Sequence, residues 1–380
     1  MKVKLCKIAD IMTGTTPSMK VDEYYDSNDI PFIKPDSFKS QFQLEASSFI
    51  SNKAERKARV VYENCILVTC IGIIGKVGIT SQKVAFNQQI NSLNVKPYYD
   101  IEYIAYNILF NKDRLQRICN SAVVPLINKT QFSNFEISIN KDIVIQRDIK
   151  NRLNLLSSII NNNKKKLLLL EDIIKSRFVE LFGDPVLNEK GWDLTSLESV
   201  CQSIYGGGTP SKKIKEYYMG TIPWVTSKDM KSDIIVDSIE HITQVAIDNS
   251  STKIIPPESV LIVIRSGILK HTLPVCINKS RVTINQDLKA LVLDERCKAI
   301  YLQYLLKALE KDILSGVRAV TADNIEFNSL KKRKIPIPPI NIQIKFSQMV
   351  NQINKLKSDV QKSINETQLL MDSLMQEYFG

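Results

Sequence analysis

The sequence predicts an α+β fold in which two similar mixed globules alternate with two long helices. Three observations predict it: an internal repeat, short apolar runs separated by Gly, Pro and Asn in each half, and a heptad-spaced segment closing each half. The chain has 380 residues, and single cores stop growing near roughly 250 to 300 residues. We therefore expect two domains of one kind.

The repeat is visible in short motifs that return in the same order. Gly-Thr-Thr-Pro-Ser at residues 14–18 returns as Gly-Gly-Thr-Pro-Ser at 207–211, and a Tyr-Tyr pair follows both copies. Asn-Gln-Gln at 87–89 returns as Asn-Gln-Asp at 285–287. A repeat of this length indicates a duplicated domain, because solenoid units are only roughly 20 to 50 residues long.

Each half begins with a mixed segment. Its β-like runs are bounded by turn residues and are predicted at residues 65–71, 90–95, 260–264 and 290–293. A few helices are predicted to accompany these runs, such as residues 101–118 and their counterpart at 299–314. Both segments are therefore expected to be α+β globules.

Each half ends with a helix that carries an apolar seam. The first seam has 4,3 spacing, typical of a coiled coil, and consists of Ile149, Leu153, Leu156, Ile160, Asn163, Leu167, Leu170 and Ile174. The second keeps the register with one charged interruption and consists of Phe346, Val350, Ile353, Lys357, Val360, Ile364, Thr367 and Met371. Both segments are predicted to be long helices.

The two helices are expected to be equal in length. Gln146 stands 37 residues before Gly183, and Gln343 stands 37 residues before Gly380. At about 1.5 Å per residue, each helix is roughly 55 Å long. We expect the seams to pair antiparallel, with one globule at each end and approximate two-fold symmetry. The alternative is that each helix packs only on its own globule.

Composition narrows the class of partner. The net charge of +11 favours an anionic partner, with nucleic acid as the leading candidate, although a lysine-rich solvated surface explains the same charge. Seven Cys without a C-x-x-C pair and only two His indicate a reduced, cytoplasmic protein without a metal site. No transmembrane segment or signal peptide is expected.

The sequence does not favour chemistry by this chain. Cys70-Ile71-Gly72-Ile73-Ile74-Gly75-Lys76-Val77 resembles a phosphate-binding loop, but it lacks the first Gly and the final Ser or Thr, so a turn between strands is expected. Gly206-Gly207-Gly208 is expected to be a turn, with phosphate binding as a weaker alternative. Because no methyltransferase motif is present either, we expect no catalytic residues and no cofactor.

This arrangement resembles the specificity (S) subunit of type I restriction-modification enzymes. The resemblance covers essentially the whole chain through the ordered loops, Asn-Gln pairs and spacer helices. It implies target recognition domains at 1–142 and 188–338, with spacer helices at 143–187 and 339–380. It also implies recognition of a bipartite double-stranded DNA target, with two methyltransferase (M) subunits and restriction (R) subunits as partners that carry the chemistry.

The candidate DNA-binding residues are polar or cationic and lie in loops. They are Lys20, Lys34, Ser37, Lys39, Arg56, Lys57 and Lys76 in the first half, and Lys212, Lys213, Lys228, Arg265, Lys270 and His271 in the second. Arg265 follows a predicted strand and is the candidate for a guanine edge, although an arginine paired within the protein is an alternative. The repeated Asn-Gln pairs are expected to hold the framework.

Two other classes remain open. One is a recognition subunit of a related restriction system with a fused methyltransferase-nuclease partner, and the other is a coiled-coil scaffold whose globules bind protein. Steep salt dependence of DNA affinity would separate the DNA binders from the scaffold.

Overall fold

The computed structural model describes residues 1–119, 124–315, 318–319 and 323–380. These residues form two compact units. The first unit contains Met1–Lys165 and Val360–Gly380, and the second contains Lys166–Asp359. Each unit combines one mixed globule with part of each long helix.

The first unit contains the first ten strands. They are β1 (Lys2–Lys4), β2 (Ala9–Thr13), β3 (Ile30–Ile33), β4 (Phe49–Ile50), β5 (Val60–Val61), β6 (Ile66–Thr69), β7 (Val77–Ile79), β8 (Val84–Phe86), β9 (Ile90–Val95) and β10 (Glu136–Ser138). Its helices are α1 (Leu5–Ile8), α2 (Ile101–Phe110), α3 (Lys112–Arg117), α4 (Lys129–Asn134) and the beginning of α5 (Ile143–Phe182).

The second unit repeats this order. Its strands are β11 (Leu194–Ser196), β12 (Cys201–Gly206), β13 (Ile222–Val225), β14 (Ile234–Ile235), β15 (Glu240–Ile242), β16 (Val260–Val263), β17 (Val275–Asn278), β18 (Thr283–Ile284), β19 (Leu288–Leu293), β20 (Arg318–Ala319), β21 (Asp323–Asn324) and β22 (Lys334–Pro336). Its helices are α6 (Gln244–Asp248), α7 (Ala299–Ala308), α8 (Glu310–Ser315), α9 (Phe327–Lys332) and the first half of α10 (Ile340–Phe379).

The sheets show that the sequence repeat is also a topological repeat. In the first unit an antiparallel sheet has the order β2-β9-β6-β7, and the corresponding sheet of the second unit has the order β12-β19-β16-β17-β14. A second sheet pairs β3 with β8 in parallel, as β13 pairs with β18. β1 pairs with β10 as β11 pairs with β22, so each globule closes by joining its two ends.

The central strands are almost entirely apolar, and they are covered on both faces. Every residue of β6 (Ile-Leu-Val-Thr) and of β16 (Val-Leu-Ile-Val) is buried. A continuous apolar run is the pattern expected of a strand buried on both faces. The strands predicted from these runs are confirmed within one or two residues at each end.

The helix predicted after the sheet is wrong in one respect in both copies. The predicted segment 101–118 is divided into α2 and α3 at Asn111, and the predicted segment 299–314 is divided into α7 and α8 at Leu309. Both residues leave the helical region, at φ −84°, ψ 11° and φ −84°, ψ 1°. Asn111 is buried and donates its side-chain amide to the Asn107 carbonyl, a competition with helix continuation that Asn often makes.

The long helices have the predicted seams, since each of the sixteen seam side chains is buried or half-buried. In the first unit, Leu153 near the start of α5 shares a core with Met375 and Phe379 near the end of α10. Further along, Asn163 donates to the Ser363 hydroxyl at 3.1 Å. Early residues of one helix meet late residues of the other, so the pairing is antiparallel.

The second unit shows the same antiparallel pairing. Phe178 near the end of α5 packs edge-on against Phe346 near the start of α10, with ring centroids 5.6 Å apart. Lys357, the charged interruption of the second seam, forms an ion pair with Glu171 of the facing helix. The expectation of paired helices is therefore confirmed within each unit.

A buried glutamine fixes the start of each long helix to its globule. Gln146 and Gln343 are both 0% exposed. Gln146 accepts from the Asp100 N–H at 2.8 Å and donates to the Asn140 carbonyl at 2.7 Å. Gln343 accepts from the Lys298 N–H at 2.9 Å and donates to the Arg296 and Pro338 carbonyls. The shared glutamine thus sets the direction in which each helix leaves its globule.

Candidate nucleic-acid interface

The Thr-Pro-Ser loop of the first unit is held by three contacts. Tyr25 donates its hydroxyl to the Pro17 carbonyl at 2.7 Å, and Thr16 donates to the side-chain carbonyl of Gln88 at 2.5 Å. Gly14 lies against the strand end, where a Cβ would sit 2.2 Å from the Asn87 carbonyl oxygen. Glycine is required here for close backbone approach.

The second unit holds its loop with the same contacts. Tyr218 donates to the Pro210 carbonyl at 2.7 Å, and the Thr209 hydroxyl bonds to Gln286. A Cβ on Gly207 would sit 1.8 Å from the Asn285 carbonyl oxygen. The glycine run is therefore packed against the strand end. Burial raises the pKa of Tyr218, as it does for its counterpart Tyr25 in the first unit.

The Asn-Gln pairs lie directly against these loops and contact their glycine and threonine residues. Asn87 and Asn285 are both 7% exposed. Asn87 donates to the side chain of Gln89 at 2.8 Å, and Asn285 donates to the carboxylate of Asp287 at 3.0 Å. The two Asn side chains and the Gln residues that bind the loop threonines are thus occupied by the protein itself. This geometry agrees with the expected framework role.

The candidates of the first unit fall into different environments. Lys20, Arg56 and Lys57 are exposed, and the Lys57 carbonyl accepts from the Thr15 hydroxyl, which brings this segment beside the loop. Lys39 is exposed and lies 4.0 Å from the Glu45 carboxylate.

The other three first-unit candidates are held by the protein. Lys34 is half-buried with its ammonium 5.7 Å from the centre of the Phe32 ring, and Lys76 donates to the Pro35 carbonyl at 2.8 Å. Ser37 is 1% exposed and accepts from the Lys34 N–H, so its hydroxyl holds a turn inside the protein. In this conformation Ser37 does not present a group to DNA.

The candidates of the second unit are exposed. They are Lys212, Lys213, Lys228, Arg265, Lys270 and His271. The Lys212 ammonium lies 5.9 Å from the Trp224 ring centre, and the Trp224 indole N–H donates to the Gly208 carbonyl at 3.0 Å. Lys212 is therefore placed directly at the Thr-Pro-Ser loop.

Arg265 is paired within the protein, as the alternative raised from the sequence had it, although the sequence did not identify Asp287 as the partner. Its Nε donates to a carboxylate oxygen of Asp287 at 2.9 Å, and its side chain is 48% exposed. Guanine recognition by the terminal Nη1 and Nη2 groups would not require Asp287 to release Nε. The one available signal was the departure of Asn-Gln-Asp from the Asn-Gln-Gln of the first copy.

The described part of the chain shows no cluster of three or more His, Cys, Asp or Glu side chains arranged to hold a metal ion. Among the described helices, none is long and apolar enough to cross a membrane. All seven cysteines lie in the described ranges and are free thiols.

Comparison with solved structures supports the fold. The type I restriction-modification S subunit from M. genitalium matches with a TM-score of 0.64 at 13% identity, covering 100% of this chain and 96% of that one. A chain solved in work on complex assembly and conformational transition of the type I R-M system matches with a TM-score of 0.61 at 14% identity, covering 100% and 97%.

Sequence relatives point to the same family. The EcoR124I/EcoR124II specificity subunit of Escherichia coli is 36% identical over 163 residues, which is 42% of this chain and 40% of that protein. The MjaIX specificity subunit of Methanocaldococcus jannaschii is 29% identical over 198 residues, 50% of this chain and 44% of that protein. The matched segments thus span less than half the length of these relatives.

The family model described as the type I restriction modification DNA specificity domain matches residues 1–171 and again residues 189–367. The two matches follow the repeat that the motifs, the sheets and the loop contacts all display. The chain therefore belongs to the type I restriction modification DNA specificity domain family and carries that domain twice.

Proposed function

We propose that this chain is the DNA-recognition (specificity) subunit of a type I restriction-modification complex. Each globule reads one half of a bipartite double-stranded target, and the long helices determine the gap between the halves. Residues 1–142 and 188–338 are the recognition domains in this proposal, and residues 143–187 and 339–380 are the spacers. The family membership and the duplicated loop support it.

The observation that carries the proposal is that the two Thr-Pro-Ser loops are held by the same two side-chain hydrogen bonds. In both units a tyrosine and a glutamine fix the loop over the end of the sheet. The cations around the two loops differ, because Arg56 and Lys57 accompany the first loop whereas Lys212 and Lys213 accompany the second. The shared framework lets both domains approach DNA in the same manner, while the different cations contact the phosphates of each half-site from different positions.

Phosphate contacts and base contacts have separate tasks in this proposal. Flexible lysines at the loops bind phosphates and fix the register of each globule, while Arg265 forks onto a guanine edge. The remaining exposed candidates, including Lys20, Lys228, Lys270 and His271, extend the phosphate-facing surface. Ser37, which lies in the interior, is not part of this surface.

We further propose a division of labour with other chains. Two methyltransferase subunits and, in the full complex, restriction subunits catalyse the reactions. This chain recognises the DNA sequence at which they act. A subunit that reads the cell's DNA works in the cytoplasm, which agrees with the free thiols of all seven cysteines.

A domain exchange tests the modular reading. Methylated bases are mapped across the genome in cells that contain the full chain and in cells in which residues 1–142 are replaced by another recognition domain. One half of the methylated motif should change while the other half and the gap remain. A change in both halves would show that the globules do not read independently.

A salt titration tests the phosphate contacts. Each phosphate contact contributes about −0.9 to the slope of log affinity against log salt concentration. Replacing Arg56 and Lys57 with Gln should therefore reduce the slope by about 2. The matched control replaces Lys2 and Lys4, which are also exposed but lie on β1 near the chain terminus. Equal slopes for both double variants would refute the assignment.

A further inference from the structure

Three equivalent positions in the two units have the same backbone and different chemistry. The Cys70 N–H donates to the Gln89 carbonyl at 2.7 Å, and at the matching place the Ile264 N–H donates to the Asp287 carbonyl at 2.8 Å. The Ile127 N–H donates to the Cys70 carbonyl at 2.9 Å, as the Ile325 N–H does to the Ile264 carbonyl at 2.8 Å.

Isolated bridges complete the equivalence. Ile71 bridges Leu126 in the first unit, and Arg265 bridges Asn324 in the second. The positions are therefore Ile71, Gln89 and Leu126 in one unit, and Arg265, Asp287 and Asn324 in the other. We call each of these groups of three residues the corner of its unit. The corner directly adjoins the Asn-Gln pair that holds the Thr-Pro-Ser loop. One unit presents apolar groups around a neutral amide here, whereas the other presents polar and charged groups.

The replacements depend on one another chemically. The Gln89 side chain has one acceptor oxygen, which receives the Asn87 amide. Asp287 has two, so one oxygen receives the Asn285 amide at 3.0 Å while the other receives Arg265 Nε at 2.9 Å. The carboxylate of Asp287 thus keeps the hydrogen bond to the Asn285 amide and also accepts a hydrogen bond from the Arg265 guanidinium. Gln at this position would have to accept both bonds on one oxygen, and it would lack the negative charge that attracts the guanidinium.

We propose that the corner of each unit selects one base of its half-site, and that the two corners select different bases. Arg265, positioned by Asp287, selects a guanine in the half-site of the second unit through bonds to its O6 and N7 atoms. Ile71 at the equivalent point of the first unit selects a thymine through contact with its methyl group. The inference rests on the proposed function, because it assigns bases within a target that the globules read.

The test exchanges the corner between the units of the full chain. One variant carries Arg265→Ile with Asp287→Gln, and the other carries Ile71→Arg with Gln89→Asp. Each is used to select duplexes from a library with both half-sites randomised, and the unaltered half-site serves as the internal control. A further double variant, Arg296→Ile with Asp294→Gln, removes a matched Arg–Asp pair of similar exposure elsewhere in the second unit.

The first variant should lose a guanine preference of roughly 5- to 160-fold at one position of one half-site. The second should replace a thymine by a guanine in the other half-site, and the Arg296 control should keep the wild-type motif. Asp287→Asn alone should weaken the preference at that same position without moving it, which a merely structural role would not do.

Two results would overturn the inference. One is an unchanged motif in both exchange variants, and the other is loss of the whole half-site rather than of one position, which would make Arg265 structural. Absence of any sequence preference in the wild-type chain is a different result, because it would overturn the proposed function as well.

Discussion

Replacing Gln343 with Met should destabilise the second unit strongly although the volume is conserved. The substitution removes the amide that accepts from the Lys298 N–H and donates to the Arg296 and Pro338 carbonyls. The Gln343 side chain is 0% exposed, so water does not replace these three hydrogen bonds. An unsatisfied buried group costs about 1–3 kcal/mol, so we expect a loss of about 3 kcal/mol for the donor and the two acceptors together.

Urea unfolding, monitored by tryptophan fluorescence, measures this loss of stability in the second unit. The chain has two tryptophans, Trp192 and Trp224, and both lie in the second unit. With an m value of about 2 kcal/mol per M, the midpoint should fall by roughly 1.5 M. Gln352→Met, at an exposed position of the same helix, is the control and should shift it by less than about 0.3 M.

A midpoint for Gln343→Met within error of the Gln352→Met control would refute the reasoning. It would mean that the globule and α10 do not depend on this glutamine for their connection. The role assigned to the equivalent Gln146 in the first unit would then lose its support as well.

Three further predictions concern the loops, the thiols and the spacers. Gly207→Ala should lower the same urea midpoint and weaken specific DNA binding, because its Cβ would overlap the Asn285 carbonyl oxygen, whereas Gly267→Ala, with nothing within 4 Å, should change neither. Burial raises the pKa of Cys276 and Cys297 to about 12, so stability that is complete below about pH 9 should fall as pH rises towards 12, and alkylation at pH 8 should label exposed Cys6 first. Inserting about four residues, one helical turn, into both long helices should widen the gap in the methylated motif, and an unchanged gap would show that the helices do not set it.

Local patterns account for the features that the sequence predicted correctly. The heptad seam of Ile149 to Ile174 depends only on spacing within one helix, and every seam position is indeed covered. The burial of β6 and β16 is likewise predictable from the apolar composition of these two runs. The break at Asn111 was missed because the competing bond to Asn107 lies within a segment whose apolar spacing continues.

Site chemistry was less accessible from the sequence, because it depends on contacts between distant segments. Ser37 looked like a polar loop residue, yet its turn folds inward and buries the hydroxyl at 1% exposure. Lys76 looked like a free cation until the fold brought the Pro35 carbonyl to 2.8 Å from its ammonium. Neither outcome has a signature in the neighbouring residues.

The sequence by itself determined that this protein is a duplicated pair of globules with two equal helices, because motif order, spacing and periodicity are properties of the linear chain. The tertiary structure alone decided which polar groups serve the protein and which face outward. Arg265 and Asp287 are 22 residues apart in the chain, and only the return of β19 beside β16 brings the guanidinium within 2.9 Å of the carboxylate. Hydrogen bonds act over about 3 Å, so they are fixed by the fold rather than by position along the chain.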